Sequence, residues 1–125
     1  MTATALDLGA EYVRLVAAKD HVGLQQLLAD DVDFRALTPR KAWELHDAKD
    51  AVQNAIGVWF DEDDDIQELL AYEVRPVAGS RSSLSYRLRV RNADGDHIVE
   101  QQAYFECDGA HITWMRVLCA GYLPA

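Results

Sequence analysis

The most constraining stretch of this chain is its last third, where apolar and polar side chains alternate strictly. Leu84, Tyr86, Leu88 and Val90 are interleaved with Ser85, Arg87, Arg89 and Arg91, and a period of two puts the two sets on opposite faces of a β-strand. Asp94-Gly95 and Asp108-Gly109 follow at strand-length intervals, and glycine supplies the positive φ that tight hairpins need. Three long antiparallel strands joined as a meander are therefore predicted. A two-residue turn at Asp94-Gly95 sets Arg89 opposite Glu100, Leu88 opposite Gln101 and Tyr86 opposite Ala103. One at Asp108-Gly109 sets Phe105 opposite Ile112, Ala103 opposite Trp114 and Gln101 opposite Arg116. In that register Tyr86, Gln101, Phe105, Ile112, Trp114, Arg116 and Leu118 share the inner face, while Arg87, Arg89, Glu100, Tyr104, Met115, Val117 and Cys119 lie outside. The last strand is then apolar on its wet side, which predicts a homodimer packed through the outer sheet face, or else 120–125 folding back over it.

Ahead of the meander the periodicity is helical. Leu8, Tyr12, Leu15 and Ala18 recur on one side of a helix over 4–18, with Asp7, Glu11 and Arg14 on another. Asp20 caps a second helix that turns Leu24, Leu27 and Leu28 inward and ends at Asp30-Asp31. Strands are predicted over 32–37 and 41–46, separated by Thr38-Pro39-Arg40, and a third helix from Asp50 carries Val52, Ala55, Ile56, Trp59 and Phe60 to the core. The five acids Asp61 to Asp65 read as a solvated loop, since the alternating oxygen ligands and central glycine of a calcium loop are missing. A further strand spans 66–77. All 125 residues read as one α+β domain: three helices on a curved, mostly antiparallel sheet.

Composition then narrows the function. Twelve Lys and Arg against 21 Asp and Glu leave a net charge of -9, a field that repels phosphate backbones and anionic lipid, so neither nucleic acid nor a membrane is expected as partner. Asp7, Glu11 and Arg14 interrupt the first apolar stretch, well short of the roughly 18 apolar residues of a membrane span and unlike a secretory leader. A cytoplasmic protein is expected. Cys107 and Cys119 fall on opposite faces of neighbouring strands in this register and are expected to be free thiols. His21, His46, His97 and His111 are too dispersed for a zinc site, and neither a phosphate-binding glycine loop nor a nucleophile elbow occurs; no metal or cofactor is expected.

Tyr12-Val13-Arg14-Leu15-Val16, Leu27-Leu28-Ala29-Asp30-Asp31-Val32, Lys49-Asp50-Ala51-Val52 and Phe105-Glu106-Cys107-Asp108-Gly109-Ala110-His111-Ile112 occur in that order. With the element order, they resemble the nuclear transport factor 2-like superfamily, in particular its SnoaL-like branch, over nearly the whole chain. The resemblance implies a cone-shaped fold with a small-molecule pocket between helices and sheet, in a group that includes cyclases, isomerases, dehydratases, epoxide hydrolases and noncatalytic members. In the steroid isomerase branch the oxyanion tyrosine would match Tyr12, but the base and the protonated carboxylate fall at Ala36 and near Ala103. A methyl group neither abstracts nor donates a proton, so that activity is not expected.

Tyr12, Trp43, Trp59, Tyr86, Gln101, Trp114 and Arg116 are the expected pocket residues, with Tyr12 and Arg116 able to hold an oxyanion and His46 the candidate base. They suit a small apolar ligand bearing a carbonyl, phenol or carboxylate, with cofactor-free isomerisation, cyclisation or dehydration as the chemistry. Arg116 could instead brace the fold against Glu44 or Asp33, and the tryptophans could fill the cone. A noncatalytic dimeric ligand-binding or protein-interaction module is the alternative function.

Overall fold

A computed structural model describes residues 3–125. Helix α1 (Ala5–Ala18) starts in a capping box: the Thr4 hydroxyl accepts from the Asp7 amide at 3.1 Å, and the Asp7 carboxylate accepts from the Thr4 amide. Its apolar stripe buries Leu8, Tyr12, Leu15 and Val16. Lys19 ends it at φ 54°, and its Nζ donates to the carbonyls of Asp61 and Asp64 at 2.5 and 2.6 Å. That cation ties down the acidic run, whose residues 61–63 are exposed. Helix α2 (His21–Leu27) is capped by Asp20, which accepts from the Gly23 amide at 2.8 Å.

Strand β1 (Leu28–Thr38) begins earlier than expected, since Leu28 and Ala29 already point into the core beside the exposed Asp30 and Asp31. Strand β2 (Lys41–Leu45) returns antiparallel to it. Asp47 then caps α3 (Ala48–Ala51), which widens through a π-helical turn (Val52–Ile56) into α4 (Gly57–Trp59). Val52, Ala55, Ile56, Trp59 and Phe60 are buried there, as the periodicity predicts.

The long strands β3 (Asp65–Ala78), β4 (Arg81–Asn92), β5 (Gly95–Cys107) and β6 (Ile112–Pro124) complete one six-stranded sheet of order β2-β1-β6-β5-β4-β3. Every pairing is antiparallel except β1 with β6. The edge strand β3 carries Pro76 and three register irregularities, features that blunt an edge against further pairing. Helices cover one face only. Contact between α1 and the sheet is close enough at Gly9 that a Cβ there would stand 2.7 Å from Val74 Cγ1 and 2.8 Å from Phe105 Cζ.

Both hairpin registers differ from those predicted. In the first, Ala93-Asp94 form the turn and Asn92 pairs with Gly95 at φ 110°. The Asn92 side chain accepts from the Asp94 amide at 2.9 Å and so favours the turn one residue earlier. The pairing slips by two: Tyr86 faces Gln101, and Arg87 faces Glu100 with a 3.5 Å ion pair. An even slip leaves every side chain on its predicted face.

The second hairpin flips a strand. Asp108 accepts from the amides of Ala110 and His111 at 2.9 and 2.7 Å, closing a four-residue loop that pairs Cys107 with Ile112. Thr113 is then an extra residue, because Glu106 already faces Trp114. Beyond this bulge Phe105 faces Met115 and Ala103 faces Val117. Met115 and Val117 are therefore buried inside, and Trp114, Arg116 and Leu118 lie outside, opposite to the predicted sides. Cys119 also turns inward, facing Gln101, so the two cysteines share a face rather than opposing one another. They are free because six strand positions, about 20 Å, separate their places along β5.

Candidate functional site

The polar residues expected together in the cone separate into two places. Tyr12 from α1, Tyr86 from β4 and Gln101 from β5 meet between helices and sheet, with the two tyrosine rings 6.4 Å apart. The Tyr86 hydroxyl donates to Gln101 Oε1. Tyr12 Oη, Gln101 Nε2 and Trp59 Nε1 are buried with no hydrogen-bond partner among the described residues. Tyr12, Tyr86 and Gln101 keep 0, 2 and 1% of their surface open to water. Burial pushes both phenols above their ordinary range, most strongly for Tyr86, while for Tyr12 the neighbouring Tyr86 partly offsets it. Ala36 and Ala103, at the two positions where the resemblance expects carboxylates, are buried on the same inner face. Among the described residues this interior holds donors but no buried carboxylate.

Trp43 and Trp59 pack edge to face at 5.8 Å, with Phe34 6.0 Å from Trp59. Trp43 Nε1 donates to Thr38 Oγ1 at 2.8 Å, and Lys41 Nζ lies over its ring at 3.8 Å. These rings fill space between β2 and the third helical segment. His46 follows β2 with 70% of its side chain exposed and Nε2 3.5 Å from Glu44, outside the buried cluster.

Trp114 and Arg116 stand on the outer face, where three rows cross the strands in register. Asp33, Trp114, Glu106 and Arg81 form one, Arg35, Arg116, Tyr104, Ser83 and Arg75 the next, and Leu37, Leu118, Gln102, Ser85 and Glu73 the third. Guanidinium groups of Arg81 and Arg116 lie 4.0 and 4.5 Å from the Trp114 ring centre, which is how a large ring is shielded on a wet face. Arg116 Nη1 donates to the Asp33 carbonyl (3.1 Å), the Asp33 carboxylate (3.1 Å) and the Met115 carbonyl (3.0 Å). Of the two bracing acids considered, Asp33 is the partner; Glu44 pairs with Arg35 at 3.1 Å. The hydrogen bond from Arg116 holds the Asp33 carboxyl below its usual range, with Arg35 and His46 adding smaller attractions.

The second and third rows, with Ala42 and Glu44 of β2, line a half-open cavity of about 650 Å³ on this outer face. Leu37, Tyr104 and Leu118, each more than half exposed, give it an apolar floor. Sequence reasoning missed Leu37 and Arg35 here. Their signal was the alternation of Phe34 and Ala36 with Arg35 and Leu37 in β1, which puts both on the outer face. A second cavity of about 570 Å³ lies between α1 and β3, against Arg14, Leu69 and Tyr72.

Two capped helices and a third, π-widened helical segment on a bent sheet, with one parallel strand pair at β1 and β6, define an α+β cone. Its fold is that of the nuclear transport factor 2-like superfamily. Among similar solved structures, a candidate isomerase from Bacillus subtilis superposes with a TM-score of 0.73 at 11% identity, covering 90% of this chain and 86% of that one. A candidate polyketide cyclase from Pseudomonas putida gives 0.70 at 17% identity, covering 91% and 90%. An LEH-like epoxide hydrolase from Mycobacterium tuberculosis gives 0.64 at 12%, covering 92% and 81%. No protein-family profile matches the chain, and no curated protein does. No helix among the described residues is long and apolar enough to cross a membrane.

Proposed function

We propose that this chain is a cytoplasmic, noncatalytic homodimeric module that binds through the outer face of its sheet. One observation carries the reading: the 650 Å³ cavity opens on that face, whereas Tyr12, Tyr86 and Gln101 in the cone interior are sealed to 2% exposure or less. General acid–base catalysis requires a titrating group within hydrogen-bond reach of the substrate. A cofactor-free isomerase, cyclase or dehydratase would need Tyr12, Arg116 and His46 around one molecule, yet the first is in the core, the second outside and the third in solvent.

Dimerisation is favoured by side chains other than those expected. Met115 and Val117 are spent on the core, but Leu37 and Leu118 face each other across β1 and β6 at 56 and 57% exposure, with Tyr104 next to them. Covering such a face takes about 800 Å² per partner in a stable dimer. Sedimentation velocity tests it: the wild type should sediment as a dimer and Leu118→Asp as a folded monomer. A wild type that is monomeric over the whole concentration range would refute the dimer.

A further inference from the structure

We propose that the outer-face groove is a binding site for a small amphipathic carboxylate, with Arg116 as its anchor; this deepens the outer-face reading by naming the ligand class. The volume of about 650 Å³ lies inside the range of about 300 to 1,000 Å³ of small-molecule sites. Leu37, Leu118 and Tyr104, the side chains that a second copy would also cover, offer apolar surface for a hydrocarbon or aromatic body, so that ligand and partner would share this face.

Arg116 supplies the polar end. Its three protein acceptors all engage Nη1, which fixes the plane of the guanidinium against Asp33 and the Met115 carbonyl. Its Nε and Nη2 have no acceptor among the described residues. Those two nitrogens form the planar fork that takes both oxygens of one carboxylate. The other arginines of the groove are engaged, Arg35 with Glu44 at 3.1 Å and Arg75 with Glu73 at 3.5 Å. One open fork, with Glu44 and Glu73 also lining the cavity, suits a singly charged group and disfavours a dianion such as a phosphate monoester.

The test uses naphthoic acid and its neutral carboxamide as probes, titrated by fluorescence and calorimetry into the intact protein at pH 7, with sedimentation run alongside. Naphthoate should bind, and both the carboxamide and the Arg116→Gln variant should show affinity lower by about tenfold or more, the loss of a charge-assisted fork. Ser85→Phe fills the groove from β4 and leaves the Arg116–Asp33 pair in place, so it should abolish binding even if Arg116→Gln folds poorly. Equal affinity for acid and amide, or undiminished binding to Ser85→Phe, overturns the site. Naphthoate binding to a monomer in an Arg116-dependent way upholds the site and rejects the dimer. A dimer that binds no naphthoate rejects the site alone.

Discussion

Replacing Tyr12 by Phe should make this protein more stable. The hydroxyl is wholly buried, and among the described residues no hydrogen bond of good geometry reaches it, the phenol of Tyr86 being its polar neighbour; leaving such a group unsatisfied costs about 1 to 3 kcal/mol. Removing one oxygen forfeits dispersion contacts of about 0.1 to 0.2 kcal/mol each, so the net gain should be about 1 to 2 kcal/mol. For a chain of this length each kcal/mol moves Tm by about 4 °C, giving a rise of about 4 to 8 °C. Scanning calorimetry would read the shift, and urea unfolding should show a higher midpoint at unchanged slope. Tyr86→Phe is the matched control with the opposite sign. It strips Gln101 Oε1 of its donor while Gln101 Nε2 is already unpartnered, and should cost about 1 to 2 kcal/mol. A loss of stability in Tyr12→Phe would refute the reasoning, because it would mean the hydroxyl is satisfied inside the cone.

Alkali and acid should each destabilise the fold. Burial raises the phenols of Tyr12, Tyr86 and Tyr122, so their contribution is complete below the unfolded pKa of about 10 and is lost as pH climbs toward the folded values; phenolate absorbance from these three should appear together with loss of near-ultraviolet circular dichroism. Asp33, Asp96 and Asp108 are lowered, the first two by arginine hydrogen bonds and the third by backbone amides. Their contribution is present above the unfolded value of about 3.9 and fades as pH falls through the lower folded values, which an acid titration of urea midpoints would follow; for Asp33→Asn, whose pair with Arg116 is partly exposed, the cost at neutral pH should be about 0 to 1 kcal/mol. Gly9→Ala forces a methyl against Val74 and Phe105 and should cost about 1 to 3 kcal/mol by chemical denaturation; a neutral result would mean α1 can retreat from the sheet.

Element types were legible because burial imposes periodicity on the sequence. Capping by Asp20, the inward side of the helix carrying Val52 and Trp59, and the alternation of β4 all follow from that constraint. Registers were not legible, since each depends on where a turn closes within one or two residues. At Asp94-Gly95 the cue was the Asn92 side chain, one turn-former earlier. At Asp108-Gly109 the acid caps two amides and lengthens the loop, which no two-residue template allows for. Thr113 carries no signal of its own, yet it decided the outcome for the site: Tyr12, Tyr86 and Gln101 met as expected, while Trp114 and Arg116 went to the other face.

Strand β6 behaves as a tape whose parity is switched twice. Thr113 advances it by one residue, and Ala120 with Gly121, at φ 94°, answer the single Glu100 and advance it again. The segment 114–119 is thereby out of step with both of its ends, and only a paired insertion and deletion could shift it without exchanging oil for water at every position. Two proteins of this shape that differ by one such switch would place the same alignment column inside one and outside the other. At identities of 11 to 17%, position-by-position inheritance of residue roles along this strand is therefore meaningful only after the two chains are matched face by face.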